Sequence, residues 1–161
     1  MIFTISDKPP RTEIDKSMIN LSQPAIELFD STAKQIAQEL ADPRILNKKY
    51  DKRKRETVYE VKRLSNANKS TQLRKFYDEL LMWIERSSDL DSFAGNLPFI
   101  KMLNAKVAYA RGREHVDDKF LLLMSACLEQ ISEPNMDGFI AMKNMKFLME
   151  STLGFYKAVE K

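Results

Sequence analysis

The sequence predicts an all-α fold: a compact bundle of about five helices, with an additional N-terminal helix and a mobile basic segment. The 161 residues include only four glycines and no Asn-Gly pair, which is one of the strongest short-range signals of a β-hairpin. Apolar residues recur at the spacing of amphipathic helices in five segments. The content of 43% hydrophobic and 30% charged residues is typical of a globular chain.

The N-terminal part of the chain predicts an arm followed by one helix. Residues 1–21 show no sustained hydrophobic period, so we expect a flexible N-terminal arm. A helix is predicted over residues 22–41, because Ser22 suits its N-cap and Pro24 suits its first turn. Pro43 ends this helix, since proline disfavours helical geometry in the residue before it. The apolar stripe of the helix comprises Ile26, Phe29, Ala33, Ile36, Ala37 and Leu40.

The next segment concentrates the positive charge of the chain. The whole chain carries a net charge of only +3, but the segment 44–75 holds twelve Lys or Arg and three Asp or Glu. The run 51–56 has no apolar residue and repels itself, so we expect it to be mobile. A short helix over 58–64 and a break at 66–69 are expected after it. Residues 22–69 are therefore predicted to form the additional helix and a basic linker.

Residues 70–161 are predicted to form the helical core. The expected helices run over residues 71–86, 97–112, 117–131 and 138–159. Residues 87–95 are polar and predict a loop. The third of these helices has almost no polar face, so we expect it to be central and buried. The last is apolar on more than one face, which predicts contact with another subunit.

Several classes of protein are excluded by what the sequence lacks. No apolar run reaches the ~18 residues of a membrane span or forms a signal peptide, so we expect a cytoplasmic protein without a membrane partner. The glycines are isolated, so no phosphate-cradling loop or dinucleotide fingerprint can be built. A single cysteine, Cys127, allows no intrachain disulfide. We predict no cofactor.

Two clusters have residue types that occur in catalytic sites. Cys127 and His115 are the types of a nucleophilic dyad, but Cys127 falls on the apolar row of the most hydrophobic helix, which is typical of inert packing. The run Glu114-His115-Val116-Asp117-Asp118 has metal-ligating types in an order that matches no known ligand spacing. We predict no metal and no enzymatic activity. A metal-dependent nuclease that uses this run is a rival hypothesis.

The basic residues are the stronger functional candidates. Phosphate binding needs only positioned cations and N–H donors and is independent of sequence. Arg74 and Lys75 lie in the first turn of a helix, whose free N–H groups also bind anions. Trp83 is compatible with either peripheral packing or base stacking. The predicted RNA-binding residues are Lys52, Arg53, Lys54, Arg55, Lys69, Arg74, Lys75, Lys106, Arg111 and Arg113.

Three segments resemble a known family. Ser70-Thr71-Gln72-Leu73-Arg74-Lys75-Phe76-Tyr77 resembles the Thr-Ser-Gln-x-Arg-Lys-Phe start in the small subunit of type III-A CRISPR effector (Csm) complexes. Tyr109-Ala110-Arg111-Gly112-Arg113 resembles the Tyr-x-x-Gly-Arg segment of that family. The ending, with Phe147, Glu150, Leu153 and Phe155-Tyr156-Lys157, is similar to the close of the family. The order and spacing agree across about residues 70–158.

The resemblance implies a noncatalytic bundle of roughly five helices that serves antiviral defence. Several copies would stack along the filament of backbone subunits, beside the large subunit, and line the channel that holds guide RNA and target RNA. Their RNA contacts would be mostly to phosphates, and Arg74, Lys75, Arg111 and Arg113 carry over as candidates. The helix over 22–41 departs from the family pattern, and it would cover the bundle, meet a neighbouring subunit or occlude the RNA face. The alternatives are a helical protein–protein adaptor without RNA binding and the small subunit of a type III-B complex.

Overall fold

The computed structural model describes residues 2–4 and 14–160, and helices dominate it. The predicted class is confirmed in that the protein is mostly helical, but the prediction of a purely α fold is wrong because the chain also forms a small antiparallel sheet. Across the described residues, no helix is both long and apolar enough to cross a membrane. The elements are β1 (Ile2–Thr4), α1 (Ala33–Leu40), β2 (Arg44–Asp51), β3 (Glu56–Arg63), α2 (Ser70–Glu85), α3 (Leu90–Lys101), α4 (Leu103–Gly112), α5 (Asp118–Glu129) and α6 (Met136–Val159).

The core of the molecule is built around α5 and α6. The central position predicted for α5 is confirmed, since seven of its twelve residues are buried. The long α6 packs against both α1 and α2, and α4 packs against α5. Removing these apolar faces from water is the main source of stability, at roughly 25 cal/mol per Å² of apolar surface. The helices therefore share one core, and β2 contacts α5.

The predicted bounds of α2, α5 and α6 are confirmed within a few residues. The observed first residues of α5 and α6 lie close to the predicted ones, because a capping residue stands just before each apolar pattern begins. The side chain of Asp117 accepts from the backbone N–H of Phe120 at 2.9 Å, which caps α5. In the same way Asn135 accepts from the backbone N–H of Gly138 at 2.9 Å, which caps α6.

The polar loop predicted over residues 87–95 is wrong, because α3 begins inside it. Asp89 accepts from the backbone N–H of Ser92 at 2.8 Å, and its own N–H donates to the Ser92 hydroxyl at 3.1 Å. This reciprocal cap starts the helix well before Pro98, which lies inside α3 and not in a first turn. The helical run is then divided at Met102 into α3 and α4.

Residues 14–21 belong to the packed structure, so the prediction of a flexible arm is wrong for this segment. Three of its four apolar side chains, Ile14, Ile19 and Leu21, are buried in the main core, and Met18 is exposed. The side chain of Gln130 donates to the carbonyl of Ile19 at 2.7 Å and accepts from the N–H of Leu21 at 2.7 Å. The arm's other residues, 1 and 5–13, lie outside the described residues, and Ile2–Thr4 form β1.

The N-terminal helix is shorter than predicted over residues 22–41. Helical structure begins at Leu28 with a π-helical turn, in which the N–H of Thr32 donates to the carbonyl of Glu27 at 3.0 Å. Ser22 is not a cap, and Ile26 is 95% exposed, so neither belongs to the helix. The remaining apolar stripe packs on α6, and this helix therefore covers the bundle.

The basic segment forms a β-hairpin, so the predicted mobile linker and short helix are both wrong. Strands β2 and β3 pair from Arg44 opposite Arg63 to Asp51 opposite Glu56, and β1 pairs with the other edge of β3. Its β-branched and aromatic residues favour strands. Asp51 organises the four-residue turn by accepting from the N–H groups of Arg53 at 2.8 Å and Lys54 at 3.3 Å. An Asn-Gly pair is therefore not needed.

Candidate nucleic-acid interface

The base of the hairpin is fastened to the start of α5 along the outer edge of β2. Asp117 accepts from the N–H of Arg44 at 2.9 Å, and Asp118 accepts from the N–H of Leu46 at 2.5 Å. The guanidinium of Arg111 donates to the carbonyl of Leu46 at 3.0 Å. These side chains satisfy the edge of β2 where a further strand would otherwise pair. One end of the hairpin is therefore fixed to the helices.

The other end of the hairpin carries four consecutive cations. Lys52, Arg53, Lys54 and Arg55, which we call the hairpin tip, are all exposed. Among the described residues, no carboxylate forms an ion pair with any of the four. Because Asp51 is occupied by backbone N–H groups of the turn, the tip presents its charge to solvent. Such a group suits phosphate binding, which needs accessible cations.

A second cationic region lies on α2 and at the end of α4. Lys106 forms an ion pair with Glu79, which joins α4 to α2. Lys75 stands one helical turn before Glu79 and is exposed. Arg113 is exposed, forms the C-cap of α4 and lies seven residues after Lys106. We call Lys75, Lys106 and Arg113 the α2–α4 surface.

The guanidinium of Arg113 is held by its neighbour Tyr109. Its Nη1 donates to the Tyr109 hydroxyl at 3.1 Å, and its central carbon lies 5.8 Å from the centre of the ring. The hydrogen bond to Tyr109 raises the pKa of Arg113, which stays charged. Arg74 is also oriented on the surface, with its Nε 3.8 Å from a carboxylate oxygen of Asp78. Both arginines keep most of their donors free for an anion.

Arg111 is placed differently, although it shares a sequence motif with Arg113. Its Nε donates to Asp118 at 2.6 Å, and its side chain is only 25% exposed. The bond to Asp118 raises the pKa of Arg111. With the further bond to Leu46, Arg111 joins α4, α5 and β2. Arg111, which was predicted to bind RNA, therefore stabilises the packing of these three elements.

Lys69 and the first turn of α2 form a different arrangement from the open anion site predicted. Lys69 is half-buried and lines a cleft of about 340 Å³ together with Arg63 and Tyr156. The N–H of Ser70, at the start of α2, donates to the carboxylate of Glu160 at 2.8 Å. This bond lowers the pKa of Glu160. The anion at this helix start is thus a side chain of the same protein.

Replacing Arg111 with alanine is expected to lower the stability of the fold, whereas the same change at Arg113 is not. The loss of its bonds to Asp118 and Leu46 should destabilise the fold by about 1–2 kcal/mol, because both partners stay half-buried. Thermal unfolding should shift down by about 3–6 °C. The matched variant Arg113→Ala should leave the unfolding temperature unchanged. Equal unfolding temperatures for the two variants would contradict a structural role for Arg111 that Arg113 does not share.

The residues of the alternative catalytic clusters have structural partners. Cys127 is fully buried, and burial raises the pKa of its thiol to about 12, whereas His115 is exposed. Glu114 pairs with Lys62 at 3.1 Å, and the neighbouring acids hold the hairpin and cap α5. Burial also raises the pKa of Asp117. Among the residues that the structure describes, no three His, Cys, Asp or Glu are grouped to hold a metal ion.

Sequence reasoning missed Tyr109 and considered Trp83 instead. The Trp83 ring stacks on Phe99 with centroids 5.4 Å apart and an interplanar angle of 9°, so it takes part in packing. Tyr109 is 67% exposed and stands between Lys106 and Arg113. The signal that could have found it is its spacing, three residues after Lys106 and four before Arg113.

Comparison with known proteins identifies one similarity. The model of the family described as Csm2 Type III-A matches residues 47–161, which is more than half of the chain. The match begins within β2 and includes every helix from α2 to α6. No curated protein and no solved structure matches the chain.

Proposed function

Because the chain belongs to the Csm2 family, the small subunits of type III-A CRISPR complexes, we propose that it is the noncatalytic RNA-binding subunit of such a complex. It holds guide RNA and target RNA through contacts to phosphates, in the cytoplasm. A complex programmed by a guide obtains its specificity from base pairing, so its protein surface must accept every sequence. Contacts made by cations to phosphates meet this requirement.

The observation that carries RNA binding is the exposed, unneutralised charge of the hairpin tip. The side chains of these four adjacent cations form no ion pair among the described residues, whereas two acids of the hairpin have partners. Asp51 organises the turn, and Glu60 lies 3.9 Å from Lys49. Repulsion among four neighbouring cations is unfavourable in the free protein and is relieved by a polyanion.

The α2–α4 surface extends the proposed RNA path. Lys62 of β3 pairs with Glu114, the residue after Arg113, so this surface borders the base of the hairpin. The hairpin spans about 20 Å from that base to its tip, at roughly 3.3 Å per residue. Phosphates along one stretch of RNA can therefore contact both regions. Lys69, the N-cap of α2, and Arg74, in the second turn of α2, are weaker members of the same path.

The proposed protein partners are the backbone and large subunits and neighbouring copies of this chain. Large apolar side chains remain exposed on α6, which supports such contacts. Met136 is 52% exposed, Ile140 38% and Phe147 45%. Stacked copies would repeat the RNA-binding surface along the filament. No observation favours a protein adaptor without RNA over this proposal, because an adaptor would leave the charge of the hairpin tip without the polyanion that it suits.

Reversing two charges of the α2–α4 surface is expected to weaken RNA binding. The double variant Lys75→Glu with Arg113→Glu should lower the affinity for single-stranded RNA by about tenfold or more. The salt slope should fall by about 1.4, because each lost phosphate contact on a single strand contributes about 0.7. Fluorescence anisotropy with a labelled RNA at several salt concentrations measures both quantities.

The matched control is Lys16→Glu with Lys34→Glu, which changes the net charge by the same amount. Both lysines are exposed and lie in the N-terminal part, outside the family match. This control should bind RNA nearly as the parent protein does. Equal weakening in the two double variants would show that net charge, and not this surface, determines binding. Thermal unfolding of each variant checks that the fold is intact.

A further inference from the structure

The solvent-facing side of α3 and α4 carries a regular stripe of large side chains. Phe99, Met102, Lys106, Tyr109 and Arg113 follow one another at alternating spacings of three and four residues. Phe99 is 49% exposed, Met102 51% and Tyr109 67%. The neighbouring residues Ile100, Leu103, Val107 and Ala110 form the buried stripe. A second, exposed stripe with aromatic and cationic members is not needed for packing in the core.

Tyr109 is the most exposed aromatic side chain of this stripe and stands between its two cations. Lys106 precedes it by three residues and Arg113, the C-cap of α4, follows by four, so the three lie along one side of the helix. The Arg113 guanidinium lies over the ring and donates to its hydroxyl at 3.1 Å. These contacts restrict the ring without covering it. Phe99, by contrast, is already stacked on Trp83.

We infer that Tyr109 stacks on an unpaired RNA base while Lys106 and Arg113 contact the adjacent phosphates. The inference rests on the proposed function. It adds a contact to an RNA base, which a surface that binds only phosphates does not make. Stacking suits this protein because every base presents a flat face, so the contact does not depend on sequence. Cations that alternate with an aromatic ring can contact the alternating phosphates and bases of a nucleotide chain. The apolar side of a partner helix would leave these cations without a counter-charge.

The test compares two RNAs of equal length: oligouridine and a fully abasic RNA, which has the same sugar-phosphate backbone but no bases. Fluorescence anisotropy gives the affinity of the full chain for each at one salt concentration. The parent protein is expected to bind oligouridine about tenfold more tightly, and Tyr109→Leu should abolish this difference. Tyr109→Phe, which keeps the ring and loses only the hydroxyl, should retain it.

The matched control is Phe147→Leu, which removes an exposed aromatic ring from α6. Lys146 lies over that ring at 4.5 Å, so the pair resembles Tyr109 with Arg113 but stands outside the stripe. This variant should keep the preference for oligouridine. A preference lost equally in Phe147→Leu would overturn the assignment to Tyr109.

Other outcomes separate this inference from the proposed function. If the parent protein binds both RNAs equally and with a strong salt dependence, the phosphate surface stands and stacking is overturned. If Tyr109→Leu weakens binding to both RNAs alike, stacking is also overturned, and Tyr109 acts only by positioning Arg113. Failure to bind either RNA overturns the proposed function and the inference with it.

Discussion

Replacing Asn68 with leucine is expected to destabilise the protein by about 3 kcal/mol, the largest effect on stability that we predict for a single polar residue. Asn68 is fully buried where three parts of the chain meet. Its side-chain Nδ2 donates to the carbonyl of Leu40 at 3.1 Å, and its Oδ1 accepts from the N–H of Asp117 at 3.0 Å. The hydroxyl of Tyr156 donates to its backbone carbonyl. Asn68 thus joins α1, the start of α5, and α6.

The expected magnitude follows from two losses. Leucine would leave the carbonyl of Leu40 and the N–H of Asp117 buried without partners, and each unsatisfied group costs about 1–3 kcal/mol. The backbone of Asn68 also has a φ of 56°, in the left-handed region that asparagine tolerates better than leucine does. Relaxation of the surrounding structure recovers part of the sum, which leaves about 3 kcal/mol.

Thermal unfolding measures this effect, with an expected decrease of about 6–12 °C in the midpoint for a protein of this size. Asn66→Leu is the matched control, since Asn66 is exposed two residues earlier in the same loop. It should change the stability by less than about 0.5 kcal/mol. An Asn68→Leu protein that unfolds at the midpoint of the control would show that the junction does not hold these elements together.

Asn68 also illustrates which parts of the fold the sequence can predict. The helices α2, α5 and α6 follow from periodic apolar residues and from caps within a few positions, so local patterns suffice for them. Asn68 falls in a predicted break, and that prediction is compatible with its left-handed backbone. Its partners, however, are 28, 49 and 88 residues away, and no local pattern indicates them.

The hairpin could not be predicted for a related reason. The charged run that argues for mobility is its turn, and the turn is organised by a carboxylate and not by a glycine. The strands are stabilised by fastening to α5 through Asp117 and Asp118, more than 70 residues away. Local propensity for strands was present in the sequence, but the helical patterns on both sides outweighed it.

The candidate site was predictable in composition but not in the roles of its members. Arg111 and Arg113 stand two residues apart in one motif, and the sequence treats them alike. Arg111 lies in the last turn of α4 and contacts Asp118 and β2, whereas Arg113 follows the helix end, contacts Tyr109 and is exposed. The charge of the tip is visible in the sequence, and any turn in that run would present its cations to solvent, although the run was predicted to be mobile and is instead the turn of a hairpin.

Neutralising the hairpin tip is expected to have the largest effect on RNA binding. The variant with Lys52→Gln, Arg53→Gln, Lys54→Gln and Arg55→Gln removes four cations and leaves the strands and Asp51 in place. The salt slope for single-stranded RNA should fall by about 3, and the affinity near 0.1 M salt should fall by roughly 100-fold. Because all four side chains are exposed, thermal unfolding should be nearly unchanged.

The matched control exchanges the two types of cation at the tip: Lys52→Arg, Arg53→Lys, Lys54→Arg and Arg55→Lys. It keeps the charge and the turn, so contacts to phosphates predict almost parental affinity and salt slope. A strong loss of affinity in this control would indicate bidentate recognition by particular arginines instead.

If the neutral tip retains the parental salt slope, RNA does not reach the hairpin, and the α2–α4 surface alone carries binding. If RNA contacts both regions independently, the free-energy losses of the tip variant and of the Lys75 and Arg113 double variant should add when the two are combined.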